Sequence, residues 1–235
     1  MKHNISTIAA GCGLALFGAA TLAQADVEAN IGATSNYVWR GATQTDNGAA
    51  IQGGLDWAHD SGLYLGTWAS NVDFGAGGET EWDLYGGYSG SFDNFGYDVG
   101  LIYYAYPRSQ DANFAELALT GTYANYEVGI NYTIASDVDD TGAGAEAFIS
   151  GDVYYHVGAS FDLTDNFSIG GTIGYYDFED DGVANTDLSY AHYQVDLNKS
   201  AGDFGDFTFS LSKADKEANG GDDKIKVFVS WAKTF

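Results

Sequence analysis

Apolar and polar residues alternate with a period of two along nearly the whole chain. Val27, Ala29, Ile31, Ala33, Tyr37 and Trp39 share one side of the first segment, with Glu28, Asn30, Thr34, Asn36 and Arg40 on the other. Tyr126, Val128, Ile130, Tyr132 and Ile134 oppose Glu127, Gly129, Asn131 and Thr133 in the same way. Val153, Tyr155, Val157, Ala159 and Phe161 oppose Asp152, Tyr154, His156, Gly158 and Ser160. That period marks strands with one apolar and one polar face. Helical spacing is essentially absent, and the single proline, Pro107, falls in a predicted loop. The pattern predicts an all-β protein of about twelve strands, near 27–40, 49–59, 62–73, 80–89, 95–106, 113–124, 126–136, 147–163, 166–178, 187–198, 206–214 and 223–235.

The connections between these segments alternate in length. Tight turns are predicted around Asp60-Ser61, Ser91-Phe92-Asp93, Ala124-Asn125 and Thr164-Asp165. Longer connections rich in Gly and Asp fall near 41–48, 73–79, 107–112, 136–146, 178–186 and 214–223. Short turns on one side, long loops on the other and an even strand count describe a closed antiparallel transmembrane β-barrel. Aromatic residues gather at strand ends. Tyr37, Trp39, Tyr103, Tyr104, Tyr106, Tyr175 and Tyr176 fall toward one rim, and Trp57, Tyr88, Tyr123, Trp231 and Phe235 toward the other. This distribution predicts two interfacial girdles.

The first residues stand apart from that pattern. Lys2, the apolar run Ile8 to Leu22 and Ala23-Gln24-Ala25 form a secretory signal peptide pattern, so residues 1–25 are expected to be removed and 26–235 to form one barrel domain. Cys12 leaves too short an apolar run before it to favour a lipoprotein reading. The expected mature chain has no cysteine, and with eight basic against 33 acidic residues it carries a net charge near −25. So acidic a balance excludes nucleic acid as a partner. No segment reaches the roughly 18 apolar residues of a membrane-spanning helix, which leaves strands free to cross.

Catalytic and metal-binding arrangements are thin, and neither a catalytic residue, a metal site nor a cofactor is expected. His59-Asp60-Ser61 holds the letters of a relay, but neighbours in one tight turn cannot align nucleophile, base and orienter. His156 and Ser160 share a face four residues apart, about 13 Å along a strand. Asp137, Asp139, Asp140 and Glu179-Asp180-Asp181 match calcium ligands in composition, without the loop spacing. The polar, inward face is where function is expected. Arg40, Lys224 and Lys226 are placed there near the outer seam, with Glu81, Asp83, Glu116, Glu127, Asp152 and His156 on the other walls. Rings of charge set ion selectivity. The excess of inward acids predicts a narrow, cation-preferring diffusion channel for small polar solutes or ions.

The stretch SNYVWRGATQT (Ser35–Thr45), followed by AIQGGLDW, GLYLGTWASNVDF and ETEWDLYGGY, is similar to a proteobacterial family of TorF-type porins. Asn36, Tyr37, Trp39, Arg40, Gly41, Gln44, Trp68, Ser70, Asn71, Asp73 and Asp83 carry the pattern, which continues more weakly along the chain. The resemblance implies an outer-membrane barrel in contact with lipid and lipopolysaccharide, and it names no solute. Phe235 resembles the terminal signal read by the outer-membrane assembly machinery. Two other readings share the alternation: a structural or adhesive barrel with a closed lumen, and a soluble barrel that turns its apolar face inward around a ligand.

Overall fold

The computed structural model describes residues 26–75, 77–109, 111–138, 146–179, 187–216 and 223–235. The expected leader, residues 1–25, and the acidic positions Asp139, Asp140, Asp180 and Asp181 lie outside the described residues. Twelve strands form the wall. They are β1 (Asp26–Thr34), β4 (Ala50–Ala58), β5 (Leu63–Val72), β6 (Glu79–Phe92), β7 (Phe95–Ala105) and β8 (Phe114–Tyr123). The circle continues with β9 (Tyr126–Ser136), β10 (Val153–Thr164), β11 (Phe167–Asp177), β12 (Tyr190–Ser200), β13 (Asp206–Ala214) and β14 (Lys226–Thr234). Each pairs antiparallel with its neighbours in sequence, and β1 pairs with both β4 and β14, so the sheet closes on itself. Closure gives each wall strand a neighbour on both sides, the condition for crossing hydrocarbon with strands.

The phase of the alternation is resolved by burial. Leu65, Ile173 and Val227 are 60%, 53% and 57% exposed on the outer face, while Glu116, Thr133 and Ser210 are 1%, 0% and 1% exposed inside. The apolar face therefore points outward, opposite to a soluble barrel that shelters an apolar ligand. In water this belt would exceed by far the apolar patch a soluble monomer exposes. The turns at Asp93-Asn94, Ala124-Asn125 and Asp165-Asn166 lie at the same end as Asp26 and Phe235, where the Phe235 N–H donates to the Ala29 carbonyl at 2.9 Å. The long connections lie at the opposite, outer end.

Three expectations are corrected. The first strand ends at Thr34 instead of continuing to Arg40. Ser35 ties off the ladder, its N–H donating to the Val229 carbonyl at 2.9 Å and its hydroxyl accepting from the Val229 N–H at 3.0 Å. The chain then turns inward and forms a small hairpin of β2 (Val38–Trp39) and β3 (Ala42–Thr43). The segment near 147 likewise enters the wall only at Val153. Finally, the outer girdle loses five rings. Tyr37, Trp39, Tyr104, Tyr106 and Tyr176 are buried within the barrel, whereas Tyr103 and Tyr175 face outward. Adjacent tyrosines on one strand occupy opposite faces, so only one of each pair can reach lipid.

Candidate functional site: the plugged outer lumen

The inner half of the lumen is lined by small or polar residues, among them Asn30, Asp56, Gly100, Thr120, Ser160, Gly170, Asp196 and Ser210. The outer half is filled. Its core joins Tyr37, Trp39 and Ala42 of the inturned segment to Ile102, Tyr104, Phe114, Tyr154, Tyr176, Phe178 and Tyr190 of the wall and its rim. Phe148, from the connection before β10, stacks on Phe114 with ring centroids 4.9 Å apart.

The hairpin turn is two residues long, and both have left-handed backbones: Arg40 at φ 47° and Gly41 at φ 85°. This geometry suits the twist of a tight hairpin and favours glycine. Gly41 is required a second time, because a Cβ there would stand 2.6 Å from the His192 Cβ. The turn projects Arg40 into the lumen. Its Nη1 and Nη2 each donate to one oxygen of Glu116 at 2.7 Å. The guanidinium carbon lies 4.2 Å from the Trp39 ring centre, 4.1 Å from Tyr154 and 5.1 Å from Tyr176. A planar cation thus sits among aromatic faces and is forked onto a carboxylate, an arrangement suited to guanidinium.

Glu116 is held independently of the arginine. Asn131 Nδ2 donates to it at 3.1 Å, the Tyr176 hydroxyl at 3.2 Å and the Tyr104 hydroxyl at 3.5 Å. A register shift brings Glu116 opposite Thr133 while Ala115 faces Ala135, so a bulge at Ile134 lies beside the site. Glu81 accepts from the Tyr37 hydroxyl at 2.6 Å and from the Tyr106 hydroxyl. Asp83, between Glu81 and Tyr85 on the inward face of β6, is 6% exposed and its Oδ1 has no hydrogen-bond partner.

The remaining expected pore-lining residues scatter. Glu127 accepts from or pairs with His156 Nε2 at 3.2 Å, on the wall below Tyr154. Asp152 is fully buried and caps backbone N–H groups of Ile149 and Glu179 at 3.0 and 2.9 Å, which ties two outer connections together. Lys226 is buried at the outer end of β14. Lys224 lies before that strand and is exposed, so its inward placement is corrected: the strand starts at Lys226, three residues later than expected. In the outer connections Lys216 donates to Asp187 at 2.8 Å and holds that exposed carboxyl below its usual range.

Most positions behind the sequence resemblance converge on the hairpin and its socket. The Gln44 N–H donates to the Tyr37 carbonyl at 2.7 Å, and the Asp73 N–H to the Gln44 carbonyl at 2.8 Å. Asn36 Oδ1 accepts from the Thr43 hydroxyl at 2.7 Å, and Asn71 Nδ2 donates to the Ala49 carbonyl at 3.1 Å. Trp68 meets Tyr37 edge-on at 5.7 Å, and Ser70 is buried beside it on β5.

Sequence reading missed several members of the interior. His192 lies 2.8 Å from the Tyr154 hydroxyl, and their rings stack at 11°. Glycines at 129 and 174 leave the wall bare where the His156 and His192 rings lie against it. Asp56 accepts from Asn30 at 2.9 Å and from Tyr85, Asp98 from Tyr64 at 3.0 Å, and Asp196 from Ser210 at 2.6 Å. Alternation on β4, β7 and β12 already put these groups on the polar face; that signal could have found them. No group of three or more metal-ligating side chains occurs among the described residues.

Residues 19–230 match the family described as a bacterial protein of unknown function (Gcw_chp). The chain belongs to the Gcw_chp family. No curated protein matches it. Solved structures similar to this Gcw_chp barrel include the KdgM porin, with a TM-score of 0.58 at 9% identity over 88% of this chain and 98% of that one. An outer membrane channel from Pseudomonas putida F1 follows at TM-score 0.55 and 11% identity, over 92% and 97% of the two chains. The NanC porin has a TM-score of 0.52 at 11% identity, over 89% and 98%. At such identities the likeness establishes the fold, the closed twelve-stranded barrel of outer-membrane porins.

Proposed function

We propose that this Gcw_chp protein is an outer-membrane channel of the porin kind, passing small polar solutes or ions with a preference for cations. The inturned hairpin holds its outer end closed at rest. The reading is carried by the charge of the interior: eight carboxylates are buried there, against the buried Lys226 and the Arg40 side chain. Fixed charge facing a narrow water path favours the counterion and repels the co-ion. The resemblance of Ser35–Thr45 and the following stretches to TorF-type porins supports the same reading. So does the outward apolar belt, which suits contact with outer-membrane lipid. The KdgM porin is described in complex with disordered oligogalacturonate, a polyanion. An acidic lumen repels such a cargo, so this chain's solute is of opposite or no charge.

The test is a planar bilayer holding refolded protein in a salt gradient. A reversal potential on the cation side supports the reading; anion preference overturns it. A second reading is favoured by the aromatic core around Arg40: a structural barrel whose lumen never opens. It requires that no current appears in the wild type or in Arg40→Ala.

A further inference from the structure

Arg40 is an unusual choice for the tip of a plug. An aliphatic side chain would close the lumen without burying a charge, and a buried ion pair is often no more stabilising than well-packed apolar residues. The pocket that receives it is complete without it. Tyr154 and Tyr176 come from the wall strands β10 and β11, and Glu116 from β8 is fixed by Asn131, Tyr176 and Tyr104. The hairpin contributes the cation and the Trp39 ring. We infer that this pocket is a recognition site for small guanidinium-bearing solutes, and that Arg40 occupies it as a tethered stand-in which such a solute displaces.

Three features of the structure favour exchange. Charge opposes a simple exit: without Arg40, the buried Glu116, near Asp83, would lose its counter-ion, a cost that another cation of the right shape offsets. Chemistry selects the replacement. Two parallel N–H donors match the Glu116 carboxylate, and a flat delocalised cation suits the tyrosine faces, whereas an ammonium offers one charge centre and no fork. The hairpin's own ladder is also short, only the pairs Val38↔Thr43 and Trp39↔Ala42, and its tip residue is a non-glycine in a left-handed backbone. The inference rests on the channel reading for its biological role, since displacement of Arg40 is then what unseats the plug.

Binding can be read without any current. Trp39 lies against the guanidinium, so tryptophan fluorescence of the detergent-refolded protein is titrated with methylguanidinium, with methylammonium at equal concentration as control and Trp39→Phe to isolate the Trp39 signal. A saturable change is expected in the wild type, smaller in Trp39→Phe, where Trp68 against Tyr37 still reports the hairpin, and lost in Glu116→Gln. In Arg40→Ala, where no tethered competitor remains, the midpoint should fall by about tenfold or more. Should either variant fail to refold, Arg40→Lys, which keeps the charge but not the fork, is expected to lie between wild type and Arg40→Ala. A wild-type response equal for both cations overturns the inference. Binding confined to Arg40→Ala does so too, because it marks only an engineered cavity; so does the lack of any response. Cation-selective current without a methylguanidinium response sinks this inference alone, and a saturable response in a barrel that never conducts sinks the channel alone.

Discussion

Arg40 and Glu116, 76 positions apart in sequence, meet through two hydrogen bonds of 2.7 Å inside the barrel, with side chains 8% and 1% exposed. Breaking such a pair from one side strands a charge. Glu116→Ala should cost about 3–5 kcal/mol in urea unfolding of the refolded barrel. Arg40→Ala/Glu116→Ala together should cost less than the sum of the single changes, because neither charge is then left alone. Strict additivity would mean that the pair is not coupled in the folded protein.

Gly41 offers a way to lift the hairpin while leaving its charges in place. Gly41→Ala puts a Cβ within 2.6 Å of His192 and adds left-handed strain of roughly 1–2 kcal/mol. The wall should still fold, as judged by heat-dependent gel mobility, while the segment around Val38–Thr43 becomes open to protease and the mean current rises. A protected segment with unchanged current would remove the hairpin from the gating role.

The outward belt makes a prediction about location. Ile173 stands at mid-strand on the outer face of β11 and is 53% exposed. Ile173→Lys should destabilise the barrel by about 2–4 kcal/mol when refolded into lipid vesicles. In a water-soluble barrel the same change would be neutral. An unaltered unfolding midpoint in vesicles would argue that this face does not meet hydrocarbon.

The inner carboxylates Asp56, Asp98 and Asp196 come from β4, β7 and β12, well separated around the barrel. Replacing all three by Asn should move the reversal potential toward zero in a salt gradient, with the plug contacts of Arg40 unchanged. If selectivity survives intact, the charges of the outer half, Glu81, Asp83 and Glu116, are the ones that set it.

The wall was legible because a period of two is a local property. Each strand announces its faces, and alternating connection lengths announce which end is which; β9 matches its expected span residue for residue. The plug was hidden by the same rule. Residues 35–40 continue the parity of β1, so Tyr37 and Trp39 read as lipid-facing rings, while the Ser35–Val229 bonds that end the strand join residues 194 apart. Arg40 and Glu116 were both assigned to the inward face, but parity carries no information about depth or partners. That Arg40 leaves the wall to reach Glu116 depends on a left-handed turn whose only local sign is the glycine at 41.

The hydroxyl of Tyr190 donates to the Arg40 carbonyl at 3.0 Å across 150 positions of chain. The hairpin's contacts therefore reach residues on β8, β10, β11 and β12, strands whose formation it must await. Loop-closure entropy makes such distant contacts the late events of folding. Docking of the hairpin is accordingly expected to follow closure of the wall, and with it desolvation of the Arg40–Glu116 pair becomes one of the last steps. A pair joined across so much chain is then a reporter of the finished fold, formed only once every strand it touches is in place.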